Sequence, residues 1–191
     1  MQAPAPTPSQ VTQIGAGRVA VYDDLLAPAH CEQLFGVLGK SGFTRSEVAR
    51  PETAQFRHWA TEIPLQALPK MPFYEPTLQA VSGFDPQHRY RVYRSYVNAA
   101  FYGDMLFSHT DCLPGAGELT ALWYVCARWD PEWGGETLFF DGAMDARAVV
   151  SPRPGRLVVF DGELTHVGRP PNRICTDPRY TLALKLERIA G

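Results

Sequence analysis

Apolar residues follow two rhythms along this chain. In 28–39 (PAHCEQLFGVLG), Cys31, Leu34, Phe35 and Leu38 recur at three- and four-residue spacing, with Pro28 at the front and Gly39 at the end. That spacing places them on one helix face, and the proline and glycine mark its start and stop. A second helix is expected over 76–81. From residue 90 the pattern changes to short runs rich in β-branched and aromatic residues, at 90–101, 119–127, 137–140, 148–150, 157–160 and 180–186. Gly103-Asp104, Pro114-Gly115, Gly134-Gly135, Asp141-Gly142 and Pro154-Gly155 punctuate them as turns. RVAVY at 18–22 adds an earlier strand, while 43–90 otherwise gives no firm pattern. Many short strands separated by turns predict a mainly β (α+β) fold, a double-stranded β-helix (jelly roll) buttressed by N-terminal helices. The expected layout is a flexible tail over 1–13 (MQAPAPTPSQVTQ), then one domain over 14–191 with its β-helix core at about 90–188.

Composition narrows the class of function. The chain has 191 residues, 45% of them hydrophobic and 20% charged, with a formal net charge of −2. This is the balance of a globular domain, and neither the net charge nor the scattered lysines and arginines suit nucleic acid. Residues 1–13 lack the basic start and apolar stretch of a secretory signal. The longest apolar run, 119–127, is too short to span a bilayer. Cys31, Cys112, Cys126 and Cys175 show no paired spacing, which suits free thiols in a reducing compartment. A soluble cytoplasmic protein is expected, with no membrane or nucleic-acid partner and an oligomeric state left open.

The candidate chemistry lies in His109 and Asp111, followed further along by His166. On a strand, i and i+2 share a face, so one metal ion can reach both members of His-x-Asp. A second histidine from another strand completes a two-His, one-carboxylate set, which leaves open positions on a non-haem Fe(II). Zinc accepts the same donors, and a zinc hydrolase would need a base such as Glu118 or Glu136. Near the C-terminus, PRYTLAL places Arg179 and Thr181 on one strand face and Tyr180, Leu182 and Leu184 on the other. A guanidinium and a hydroxyl pointing the same way make a carboxylate clamp, which favours iron chemistry over hydrolysis.

These segments resemble the Fe(II)/2-oxoglutarate-dependent dioxygenase superfamily, in its prolyl 4-hydroxylase-like branch. The resemblance runs through VYDDLLAPAHCEQL, AAFYGDMLFSHTD, LTALWYVCARWDPEWGGETLFF, GRLVVFDGELTHVG and PRYTLALKLE. It implies that His109, Asp111 and His166 bind Fe(II) and that Arg179 and Thr181 hold the far carboxylate of 2-oxoglutarate. It also implies that Tyr124 stands against the same cosubstrate and that Tyr102 reaches cosubstrate or substrate. The implied cofactors are Fe(II), 2-oxoglutarate and O2, with ascorbate as a supporting reductant. The implied activity is hydroxylation of an unactivated C–H bond, releasing succinate and CO2. Asp111 fills the position that halide-using relatives leave open, so hydroxylation is expected rather than chlorination.

Substrate class is read from 43–98, which mixes Arg45, Arg50, Arg57, Arg89, Arg91 and Arg94 with aromatic residues. That mixture suits a polar or anionic small molecule, a metabolite or natural-product intermediate. Peptidyl proline is the rival substrate. A non-catalytic metal-binding sensor module and the zinc hydrolase stand further behind. Phe56, His58 and Trp59 either line a substrate groove or anchor a loop.

Overall fold

Strand alternation sorts the chain into two cores. In the computed structural model, which describes residues 5–189, the elements run in this order: β1 (Gln10–Ile14), β2 (Gly17–Tyr22), α1 (Pro28–Leu38), β3 (Thr44–Glu47), β4 (His58–Glu62), α2 (Tyr74–Phe84), β5 (Arg89–Ala100), β6 (Leu119–Val125), β7 (Thr137–Phe140), β8 (Ala146–Val150), β9 (Leu157–Asp161), β10 (His166–Gly168) and β11 (Arg179–Ile189). Eight strands form one sheet in the order β1-β2-β9-β6-β11-β5-β4-β3, and β10-β7-β8 form a second. The fold is mostly β with few helices, as the sequence predicts.

One face of the large sheet is apolar nearly throughout. Leu119, Ala121, Trp123 and Val125 of β6, Leu157 and Val159 of β9, and Tyr180, Leu182, Leu184 and Leu186 of β11 all point to that face. Residues from both helices cover it, including Cys31 and Leu38 of α1 and Ala80, Val81 and Phe84 of α2. Burying one such leucine or valine contributes about 1.5–3 kcal/mol relative to exposure. Trp123 also fixes α2, because its indole N–H donates to Thr77 Oγ1 at 2.8 Å.

The opposite face changes character across the sheet. Toward β2 and β9 it is apolar, with Val19, Val21, Val158 and Phe160 packed against Phe139, Ala148 and Val150 of the small sheet. Toward β11, β5 and β4 it turns polar, carrying Arg179, Thr181, Lys185, Asn98 and His58 into a cavity. Because the side-chain period is two, apolar β11 positions alternate with these polar ones. A single strand therefore holds up the helices and lines the cavity.

Three expectations change. Residues 10–14 are not tail: they pair with β2 around Gly15, whose φ of +58° makes the tight turn. Polar Gln10, Thr12 and Gln13 give this edge strand little apolar signal. Residues 1–4 lie outside the described residues. The sheet also extends before residue 90, since β2 joins β9 and β4 joins β5. Finally, the second helix is longer than 76–81.

Candidate metal and carboxylate site

His109 lies on no regular strand. It meets His166 in a single antiparallel bridge, with His109 N–H donating to His166 O at 3.0 Å and His166 N–H donating to His109 O at 2.9 Å. Asp111 N–H donates to Gly162 O at 2.7 Å, which holds the next-but-one residue beside the same segment. This pairing brings together residues far apart in sequence. Ligand atoms of His109, Asp111 and His166 lie within 4.8 Å of one another.

Both imidazoles are oriented from behind. His109 Nδ1 is 3.0 Å from the Phe107 carbonyl and His166 Nδ1 is 2.9 Å from that of Leu164. A carbonyl can only accept, so each Nδ1 carries the proton and each Nε2 lone pair faces Asp111. The Nε2 atoms stand 3.5 Å from Asp111 Oδ1 and 3.7 Å from Oδ2. Burial, the largest influence, pushes His166 down to about 4, so its ring is neutral at pH 7. Two imidazoles and a carboxylate converging on one point fit a divalent ion with open positions.

Asp111 has a partner that the sequence pattern did not reveal. The Lys185 ammonium contacts Asp111 Oδ2, and Thr120 donates its hydroxyl to the same oxygen at 2.6 Å. Burial alone would raise the Asp111 carboxyl. The charged Lys185 instead holds it well below the usual carboxylate range. Oδ2 is thus occupied from behind, which leaves Oδ1 for a metal. The signal for Lys185 was present in PRYTLALKLE: a lysine in the inward register of an apolar strand needs a buried partner.

Arg179 lies at the other end of the same strand face and is 4% exposed. Its Nε donates to Gly135 O at 2.5 Å and an Nη to Thr137 Oγ1 at 2.9 Å. No Asp or Glu of the described residues forms an ion pair with it. Burial pulls its pKa below the ordinary value, yet a guanidinium stays protonated. A buried cation without a counter-ion is costly, so this pocket is built for an anion. Glycines make the room: a Cβ on Gly168 would sit 3.0 Å from an Arg179 Nη, and one on Gly135 (φ +83°) 3.2 Å from Arg179 Cδ.

Arg179 and Thr181 line the same cavity as His109, Asp111 and His166. Tyr124 is buried behind that wall. Its hydroxyl is 2.7 Å from Thr137 Oγ1 and donates to Val150 O at 2.9 Å, and its ring lies 5.3 Å from the guanidinium carbon of Arg179. It touches the Arg179–Thr137 pair rather than the cavity itself. Thr137 stands in the wall instead and was not anticipated. Tyr102 is outside the lining and 65% exposed. Its turn, closed by the Asp104 carboxylate accepting from Phe101 N–H at 2.8 Å, points it to solvent. Glu118 and Glu136, the candidate bases for a zinc hydrolase, are also outside the lining. His58, Tyr96 and Asn98 also line the cavity.

The expected arginine-rich substrate wall is not there. Arg45 pairs with Asp104, Arg50 with Glu52, Arg91 with Glu187, and Arg94 with Glu47 and Glu62. None of the six arginines in 43–98 lines the cavity. The four cysteines are unpaired, and no helix of the described residues is long and apolar enough to cross a membrane.

A jelly roll with a two-His, one-carboxylate cluster beside a buried arginine defines a class of oxidoreductase. Residues 97–184, which hold the cluster and Arg179, match the family model described as the 2OG-Fe(II) oxygenase superfamily. Over those residues the chain is similar to that superfamily, whose members use Fe(II) and 2-oxoglutarate. Solved structures share the fold. A Pseudomonas putida prolyl-4-hydroxylase is 18% identical with a TM-score of 0.63, over 90% of this chain and 93% of that one. A Trichoplax adhaerens prolyl hydroxylase, in complex with a hypoxia-inducible-factor peptide fragment, is 16% identical with a TM-score of 0.67, over 88% and 83%. HygX from Streptomyces hygroscopicus, with nickel and 2-oxoglutarate bound, is 14% identical with a TM-score of 0.62, over 88% and 82%. No curated protein matches the sequence.

Proposed function

We propose that this chain is an Fe(II)- and 2-oxoglutarate-dependent dioxygenase that hydroxylates an unactivated C–H bond of a small polar metabolite or natural-product intermediate. The observation that carries this reading is Arg179, a buried cation without an ion-pair partner, in the cavity that also holds the His109–Asp111–His166 cluster. In this account Nε2 of both histidines and Oδ1 of Asp111 hold the metal. Arg179, with Thr181 beside it, grips the far carboxylate of the cosubstrate, and Tyr124 and Thr137 keep the guanidinium in place. Bound Fe(II) and 2-oxoglutarate supply the oxidising chemistry with O2, giving succinate and CO2, and ascorbate serves to restore oxidised iron. The protein contributes orientation and exclusion of water. A neutral His166, an Asp111 paired on one oxygen and a fixed arginine are arranged before any ligand arrives, which lowers the cost of ordering it.

A second reading, peptidyl-prolyl hydroxylation, draws on neighbours described as prolyl hydroxylases. The small-molecule reading draws on SnoK, described as an alpha-ketoglutarate-dependent carbocyclase from nogalamycin biosynthesis. Succinate release across free amino acids, carboxylated metabolites and proline-containing peptides separates them. Turnover confined to peptides or folded proteins overturns the small-molecule reading. Absence of 2-oxoglutarate consumption with every compound overturns the dioxygenase itself and favours a sensor or a zinc hydrolase.

A further inference from the structure

Two cations line the cavity, Arg179 and Lys185, both on the inward face of β11. Six positions along the strand separate them, about 20 Å at the usual rise. The cosubstrate proposed above runs from the metal cluster to Arg179, and so away from Lys185. Lys185 itself is 7% exposed. Its ammonium contacts Asp111 Oδ2 and donates to Thr120 Oγ1 at 3.2 Å.

Charge does not balance around this lysine once the site is loaded. Asp111 is the one carboxylate in the cavity lining. In the metal-free protein it neutralises Lys185, but a metal at Oδ1 draws on the same single charge. The two ligating histidines are neutral, since each must offer a lone pair. Burial leaves the other titratable groups of the wall uncharged, lowering His58 and raising Tyr96. A divalent metal and the two carboxylates of 2-oxoglutarate cancel. Asp111 then offsets only one of Arg179 and Lys185. A positive charge is left over in a buried site, where it is costly. Glu47 and Glu62 do not supply the balance, because both pair with Arg94 and neither with Lys185.

We propose that the substrate carries a carboxylate that pairs with Lys185, on the side of the metal away from 2-oxoglutarate. This rests on the dioxygenase reading, which supplies the metal and cosubstrate in the charge balance. One unit of charge suits a carboxylate better than a phosphate monoester, which carries about −1.5 to −2 at pH 7. Lys185 is thus the counter-ion of Asp111 before loading and the anchor of the substrate after it.

The test uses the full chain loaded with Zn(II), a redox-inert substitute, and saturated with 2-oxoglutarate, which blocks Arg179. NMR follows the Lys185 methylene next to the ammonium, assigned by its loss in Lys185→Arg and Lys185→Met. Propionate should give saturable shifts there, and propionamide, its uncharged counterpart, should bind at least about tenfold more weakly. That comparison is made on the wild type, so it stands even if Lys185→Met fails to fold. Followed through the signals of the probe, propionate should fall to the propionamide level in Lys185→Met, while Lys185→Arg keeps the preference for the anion. Equal binding of the two probes, an undiminished preference for propionate in Lys185→Met, or displacement of propionate by chloride at the same concentration overturns the Lys185 subsite alone. Failure of 2-oxoglutarate to bind overturns the dioxygenase reading, and the charge balance with it. An acetylated, amidated glutamyl dipeptide tested beside propionate identifies the source: about tenfold tighter binding assigns the carboxylate to a peptide, and comparable binding to a small molecule.

Discussion

Lys185 shows how much one residue can carry. Its ammonium is the charge partner of a buried Asp111, and removing one member of a buried pair typically costs about 3–5 kcal/mol. Lys185→Met should therefore destabilise the metal-free protein by about that much. Added Zn(II) should restore a larger share of stability in the variant than in the wild type, because a divalent cation then faces Asp111. Urea unfolding with and without Zn(II) checks both points, and an equal metal effect in the two proteins would count against the pairing. His166 gives a pH signature. Its folded pKa is depressed to about 4, so the unfolded chain, with histidine near 6.5, takes up the proton first. The stability at stake is complete above about pH 6.5 and is lost as pH falls toward 4, on the order of 3 kcal/mol. Metal-free wild type should thus lose more stability between pH 7 and 4 than His166→Gln, as measured by urea unfolding at each pH. At this scale much was legible: His-x-Asp, the later histidine and the Arg-x-Thr strand all reach one cavity. Asn98, Thr137 and Thr120 were not singled out as cavity residues, and His58 was left between groove and loop anchor, because polar residues on short strands look alike until a topology says which face is inward.

Among elements, β10 has the largest effect for its size. Its three residues supply His166 and end at Gly168, where the missing side chain leaves room for the Arg179 guanidinium. Gly168→Ala should push that group off its bonds to Gly135 O and Thr137 Oγ1. The 2-oxoglutarate requirement should rise about tenfold, equivalent to ~1.4 kcal/mol, with metal affinity little changed. Isothermal titration of Zn(II)-loaded protein with 2-oxoglutarate measures this, and unchanged affinity would show that the arginine has slack. The strands after residue 90 and helix α1 were readable from apolar spacing. β10, β3 and β4 were not: three or four residues, or charged edge positions such as those in TRSE, give too little periodicity to register. Their pairing partners, which lie far away in sequence, define them as strands.

For the whole molecule, the arrangement divides labour across a single sheet. One face is used on the helices and stability, and the other on the small sheet and the cavity. The short apolar runs separated by turns foretold the mainly β class, but the order β1-β2-β9-β6-β11-β5-β4-β3 depends on long-range pairings that no local pattern encodes. The surface arginines of 43–98 misled for the same reason, since their ion-pair partners Asp104 and Glu187 come from later segments. The central claim is that one cavity holds metal at His109, Asp111 and His166 and 2-oxoglutarate at Arg179. Anaerobic addition of Fe(II) and 2-oxoglutarate, followed by visible absorption, tests it directly. A weak metal-to-ligand band should appear in the wild type and be absent in His166→Ala. In Arg179→Ala it should need at least about thirtyfold more 2-oxoglutarate, the loss of a charge-assisted partner worth roughly 2–5 kcal/mol. No band in the wild type, or an identical titration in Arg179→Ala, would contradict the account.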